Sequence, residues 1–279
     1  MRRSSVIQQA QGMGIHDHAC WAFDEPGEFR LRASEFLGEG LRLGCRVWYI
    51  ASGDAGALAG DLESLPGWNE ALRTGGAQVV SIEDVYEPGA PVIGDEQVRT
   101  YAAATEAAIA AGFSGLRVAA DTTPLVRTPA QLAAFVRYEY LADRLMAAQP
   151  FSAMCAYDRG AVGAAAVMRL ASVHPNTNVH TQFRIFGATA HAVAIVGEVD
   201  GSCGELFGAG LAGIEPDPEN GCVRVDATRL SFLDHNGLLR LAAYAESRDA
   251  ELVVQTAWPG VARLAELLEL PNVRVEDGV

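Results

Sequence analysis

His18-Ala-Cys-Trp-Ala-Phe23 is followed by Pro26, which opens a run whose apolar positions Phe29, Ala33, Phe36, Leu37 and Leu41 keep the helical period until Gly44, and then by Cys45-Arg-Val-Trp-Tyr-Ile50. An apolar run, a 3.6-residue stripe closed by glycine and a second apolar run predict a strand, a helix and a strand. In that order they form a right-handed crossover between parallel strands. The alternation continues outward. A weaker helix runs through Leu58, Leu62 and Leu65, with a strand at 77–82. Past a loop rich in Pro and Gly come a helix over 98–111, a strand over 115–120, a helix from Pro129 to Ala148, a strand over 152–157 and a last helix before His174. Such a series predicts a mainly parallel sheet covered on both sides. Residues 1 to 15 read as a loose tail.

The polar, aperiodic stretch Val173–Gln182 reads as a linker. Beyond it the rhythm changes to a hairpin (183–186 with 192–199), a helix (203–212), a strand (221–226), a helix (236–247), a strand (251–256) and a closing helix (261–268). The expectation is two α/β domains, 14–175 and 183–279.

The chain has 279 residues, of which 49% are hydrophobic, and a net charge of -14 from 35 acidic and 21 basic residues. This balance argues against a direct nucleic-acid partner and against anionic membrane surfaces. Five dispersed cysteines without a Cys-x-x-Cys pair, no apolar leader and no long apolar run lead us to expect a cytoplasmic protein with reduced thiols.

In the second half, Val196-Gly-Glu-Val-Asp200, then Val225-Asp-Ala-Thr-Arg-Leu-Ser-Phe-Leu-Asp-His-Asn-Gly-Leu238, then Glu251-Leu-Val-Val254, resembles the STAS domain of bacterial anti-sigma factor antagonists. In that family the turn reads Asp-Ser-Ser/Thr-Gly, and a partner kinase phosphorylates a hydroxyl there to switch binding off. Here His235 and Asn236 stand at those places, and neither Ser231 nor Thr228 replaces the hydroxyls. The resemblance implies an anti-sigma factor or related regulator as partner, bound through Asp200, Asp234, His235, Asn236 and Gly237. It also implies that control by Ser/Thr phosphorylation is lost. Asn236 also suits a plain helix N-cap.

In the first half, His18-Ala-Cys20, Gly115-Leu-Arg-Val118 with Asp121, Tyr138-Glu139 and Cys155-Ala-Tyr-Asp158 resemble the MEDS domain, a sensory module. That resemblance implies a RecA-like fold, a small hydrocarbon derivative as ligand, and His18, Cys20, Asp121, Glu139 and Cys155 as ligand-binding residues. Pro124 stands where the family often has an aromatic, and no Gly-x-x-x-x-Gly-Lys-Ser/Thr cradle is present, so ATP hydrolysis is not expected. Residues two apart on a strand share a face, so His16, His18 and Cys20, with Cys155 from a neighbouring strand, form one candidate arrangement for zinc. A thiol packed as a small hydrophobe beside a hydrogen-bonded His is the other, and we assign no metal and no cofactor. Asp121, at a strand's C-terminal end, is placed either to meet a ligand or to cap the next segment. Arg117 is expected to pair with Glu139, and the four tryptophans to pack in or beside the core.

The combined expectation is a non-enzymatic signalling protein, an α/β sensory domain controlling a partner-binding α/β domain through ligand occupancy. A homo-oligomer is compatible with it. The alternatives are an enzyme built on His18, Cys20 and Asp121, or an oligomerisation scaffold.

Overall fold

The computed structural model describes residues 4–189 and 192–278 and divides the chain into two compact units, Met1–His180 and Thr181–Val279. In the first, chain order runs β1 (Ser5–Val6), β2 (His18–Phe23), α1 (Pro26–Arg42), β3 (Arg46–Ala51), α2 (Ala55–Ala59), α3 (Trp68–Thr74), β4 (Ala77–Ser81), α4 (Ile82–Val85), α5 (Gly94–Ala110) and β5 (Leu116–Asp121). It ends with α6 (Pro129–Ala148), β6 (Phe151–Asp158), α7 (Arg159–Val162), α8 (Ala164–Ala171) and β7 (Asn176–Thr177). The seven strands form a RecA-like, all-parallel sheet in the order β1-β7-β2-β6-β5-β3-β4. All six residues of β2 are buried, as a strand covered on both faces requires.

Side-chain parity divides the sheet's two faces. Ala19, Trp21, Phe23, Ala119, Met154 and Ala156 join Phe29, Ala33, Phe36 and Leu37 of α1 in one apolar layer. His18, Cys20, Cys155 and Tyr157 point to the other side, where α6 and α8 pack on β6 and β2.

Three expectations need correction here. The tail is not loose: β1 pairs with β7, Ala10 and Met13 are buried, and only residues 1–3 of it lie outside the described residues. The linker is not a linker over its first part. Its residues 176 and 177 are a strand between β1 and β2, and His174, Asn176 and Thr177 are almost fully buried. Arg117 does not meet Glu139. It lies on the α1 face, stacks 3.7 Å over the Phe36 ring, and donates to the carbonyls of Phe36, Met13 and Gly14. The long helix α6 starts as its sequence dictates: Thr128 accepts from Gln131 N, and the Gln131 side chain accepts from Thr128 N. Thr128→Ala should cost about 1 kcal/mol, read as a lowered denaturant midpoint with an unchanged slope.

The second unit runs β8 (Phe183–Gly187), β9 (Val193–Val199), α9 (Gly204–Ile214), β10 (Cys222–Asp226), β11 (Leu230–Leu233), α10 (His235–Glu246), β12 (Glu251–Thr256), α11 (Pro259–Leu267) and β13 (Val273–Asp277). Its sheet is mixed: β8 is antiparallel to β9, and the remaining pairings are parallel. The register of β9 on β11 shifts between Leu230 and Phe232. Gly197 sits at that bulge with φ of 90°, where a Cβ would lie 2.3 Å from the Gln182 carbonyl oxygen. The buried positions of α10 are Gly237, Leu238, Leu241, Ala242 and Ala245, the apolar stripe of the sequence together with a glycine. Its N-cap is Asp234 rather than Asn236. The Asp234 carboxylate accepts from Gly237 N at 2.7 Å, leaving His235 and Asn236 exposed in the first turn.

Candidate functional site

Parallel pairing of β2 with β6 sets Cys20 opposite Cys155 and Ala22 opposite Tyr157. Onto that face α6 projects Glu139 and Asp143, four residues apart and therefore on one side of the helix. His174, just beyond α8, brings its ring to 4.2 Å from that of His18. The side chains of His18, Glu139, Asp143 and His174 have no accessible surface at all.

Glu139 is the hub. Its Oε2 lies 3.2 Å from His18 Nε2 and accepts from the Cys155 thiol at 3.4 Å; its Oε1 accepts from the Tyr157 hydroxyl. His18 Nδ1 meets Asp143 Oδ1 at 3.2 Å, and Cys155 Sγ lies 3.6 Å from His18 Nε2. His174 Nδ1 is 2.8 Å from the Leu170 carbonyl, an acceptor only, so this nitrogen carries the proton. His174 Nε2 comes within 3.4 Å of Glu139 Oε1 without making a hydrogen bond.

Burial opposes protonation of His18, but the hydrogen bonds and charges of Asp143 and Glu139 outweigh it and raise its pKa to about 8. For Glu139, burial works to raise the pKa, while the neighbouring imidazoles of His174 and His18 outweigh it and hold the carboxyl well below its ordinary range. Burial pushes the Cys155 thiol and the Tyr157 hydroxyl upward, with the Glu139 charge adding to both. The result is a buried cluster in which the Glu139 carboxylate is ionised.

Of the residues singled out in the sequence, the structure therefore gathers His18, Glu139 and Cys155. Cys20 shares their face, but its thiol is engaged with Thr177. His16 is excluded from the cluster. It precedes the strand, in a turn where Asp17 accepts from Gly14 N, and its Nδ1 sits 2.8 Å from the Met146 carbonyl. The expected His16, His18 and Cys20 face is thus not formed. His174 and Asp143 carried no expectation, and Tyr157 entered only within the Cys155–Asp158 stretch, without a role of its own. The spacing of Glu139 and Asp143 on one helix was a usable signal; His174 lay in the presumed linker and offered none.

Asp121 lies elsewhere, at the C-terminal end of β5, where its carboxylate accepts from Thr123 N at 3.1 Å and burial raises its pKa. It lines a cleft of about 380 Å³ at the carboxyl ends of β2, β3, β5 and β6. Phe23, Phe29 and Tyr49 form an aromatic wall, with neighbouring rings 5.7 and 5.6 Å apart. Asp61, Asp121, Asp158, Arg30 and Arg127 supply the charges. Asp61 accepts from the Tyr49 hydroxyl at 3.0 Å. His18 and Cys20 are thus on one side of the sheet and Asp121 on the other.

In the second unit, Asp234 N donates to the Val199 carbonyl at 2.9 Å, which sets the turn at Asp234 beside the turn at Asp200. Asp200 accepts from the backbone and hydroxyl of Ser202, and these hydrogen bonds lower its pKa. Gly237 packs closely: a Cβ there would lie 2.5 Å from Leu233 Cδ1 and 3.0 Å from Val199 Cγ1, so those side chains would have to shift. His235 and Asn236 are flanked by the exposed apolar side chains of Phe232 and Leu239.

Comparison with protein families finds that the profile of the MEDS domain, the MEthanogen/methylotroph, DcmR Sensory domain, matches residues 17–175. No curated protein matches the chain.

Proposed function

The chain belongs to the family of methanogen/methylotroph, DcmR sensory domains, and from that premise we propose that it is a non-enzymatic signalling protein. In this reading the first unit takes up a small molecule, and the second binds an anti-sigma factor or a related regulatory protein. The cleft holding Asp121 is our candidate for uptake, because ligands of open α/β sheets collect outside the carboxyl ends of the strands. Its aromatic wall and three carboxylates suit a small, largely apolar molecule carrying a hydrogen-bond donor.

One observation carries the output half: the first turn of α10 presents His235 and Asn236 to solvent, between Phe232 and Leu239, with no hydroxyl to phosphorylate. An exposed helix start with an exposed apolar side chain on either side of it in sequence offers backbone donors and contact area to a partner. Its control then passes to ligand occupancy, which works only if the ligand favours one conformational state over another. The acidic balance of the chain supports a protein partner over a nucleic acid. Among the described residues no helix is long and apolar enough to cross a membrane.

The test is titration of the full chain against purified anti-sigma factors, with Asn236→Asp in parallel. The added charge at a helix N-terminus should stabilise the isolated protein by about 0.3–1 kcal/mol. At a partner surface it should weaken binding at least tenfold. A complex whose affinity is indifferent to Asn236→Asp places the interface elsewhere, and no complex with any anti-sigma factor removes the output half of the proposal.

A further inference from the structure

We propose that His18, Glu139, Cys155 and His174 form a zinc site. One ligand atom from each lies within 4.8 Å of the other three, all four residues being buried. Metal–ligand distances of 2.0–2.3 Å arranged tetrahedrally imply ligand–ligand separations of roughly 3.3–3.6 Å. Three of the ligand atoms lie at or close to those separations, with 3.2 Å from His18 Nε2 to Glu139 Oε2, 3.4 Å from Cys155 Sγ to Glu139 Oε2 and 3.6 Å from Cys155 Sγ to His18 Nε2. The fourth, His174 Nε2, lies 3.4 Å from the other carboxylate oxygen, Oε1, and must draw in on binding.

The surrounding hydrogen bonds are those a metal site needs. His174 Nδ1–H donates to the Leu170 carbonyl, so its Nε2 faces the cluster as a lone pair. That atom is buried and has no hydrogen-bond partner among the described residues, a costly arrangement unless a Lewis acid completes it. His18 repeats the pattern, with Asp143 holding Nδ1 and Nε2 turned inward. A carboxylate or carbonyl on the outer nitrogen is how ligating imidazoles are commonly oriented. Two imidazoles, one thiolate and one carboxylate suit zinc, and four protein ligands without an open position make the site structural. Binding Zn²⁺ releases the Cys155 thiol proton, because the thiolate is the ligand. The metal ties together β2, α6, β6 and the turn after α8. The site is independent of whether the second unit binds an anti-sigma factor.

To test it, the full chain is stripped with a chelator and titrated with Co²⁺. We expect saturation at one equivalent, intense tetrahedral d–d absorption and a thiolate-to-cobalt charge-transfer band, all bleached by equimolar Zn²⁺. Cys155→Ser should abolish the charge-transfer band, Cys203→Ser and Cys222→Ser should leave it, and His174→Gln should weaken cobalt binding at least tenfold. X-ray absorption of the zinc-loaded wild type settles the matter even where variants misfold. One sulfur and three nitrogen or oxygen ligands are expected. No cobalt absorption by the folded wild type, a band that survives Cys155→Ser, or a zinc shell with no sulfur or with several would each overturn the proposal.

Discussion

Replacing Glu139 with alanine should lower the melting temperature of the first unit by roughly 6–20 °C in metal-free buffer. The size follows from what the carboxylate does. It accepts from the Cys155 thiol and the Tyr157 hydroxyl, and it faces both His18 and His174, all without solvent. Removing one partner of a buried ionic cluster costs about 3–5 kcal/mol, because the remaining groups stay desolvated and unpaired. In a unit of this size each kcal/mol moves the midpoint by about 2–4 °C. Glu139→Gln keeps the volume and one acceptor, so it should fall between wild type and alanine. Calorimetry of the two variants checks this, and a shift under about 2 °C for Glu139→Ala would show that the cluster adds little to stability.

The second large effect is expected at Gly197→Ala. The residue has φ of 90°, and its new Cβ would meet backbone atoms, the Gln182 carbonyl oxygen at 2.3 Å and Phe183 Cα at 3.2 Å. Neither neighbour is the flexible end of a side chain, so β8 and β9 must part. Left-handed strain of about 1–3 kcal/mol adds to a backbone displacement of about 1–3 kcal/mol. For a unit of under about 100 residues, the lower sum alone implies a drop of about 8 °C or more. Gly201→Ala is the control, since nothing lies within 4 Å of its Cβ and its φ is ordinary. Equal melting of the two variants would refute the role given to the bulge.

Much of the first unit was legible because its strands are continuous apolar runs separated by periodic helices. What escaped did so for identifiable reasons. β7 is two residues long and polar, and β13, Val273–Asp277, is a half-exposed strand in which charged residues break the apolar run. No window-based pattern registers either. The pairing of Arg117 with Glu139 failed on parity: Ala120 is in register with Cys155, so Arg117, three residues earlier, must point to the opposite face. For the candidate zinc site, His18, Glu139 and Cys155 stood out through family resemblance. Their meeting with His174 depends on the register of β2 on β6 and on the turn after α8, and neither is a local property of the chain.

The place of β7 has a consequence for synthesis. Ser5 pairs with Asn176, and Val6 with Thr177, so β1 leaves the ribosome long before its partner and waits for nearly the last residues of its own unit. At about 5–20 residues per second, this leaves the growing chain without its edge pairing for roughly ten seconds or more. Throughout that interval the outer border of β2 is open as well, because β7 is the strand that covers it. A chain truncated just short of Asn176 would keep β2 to β6 and still present an unpaired parallel edge, a template for pairing with strands of other chains.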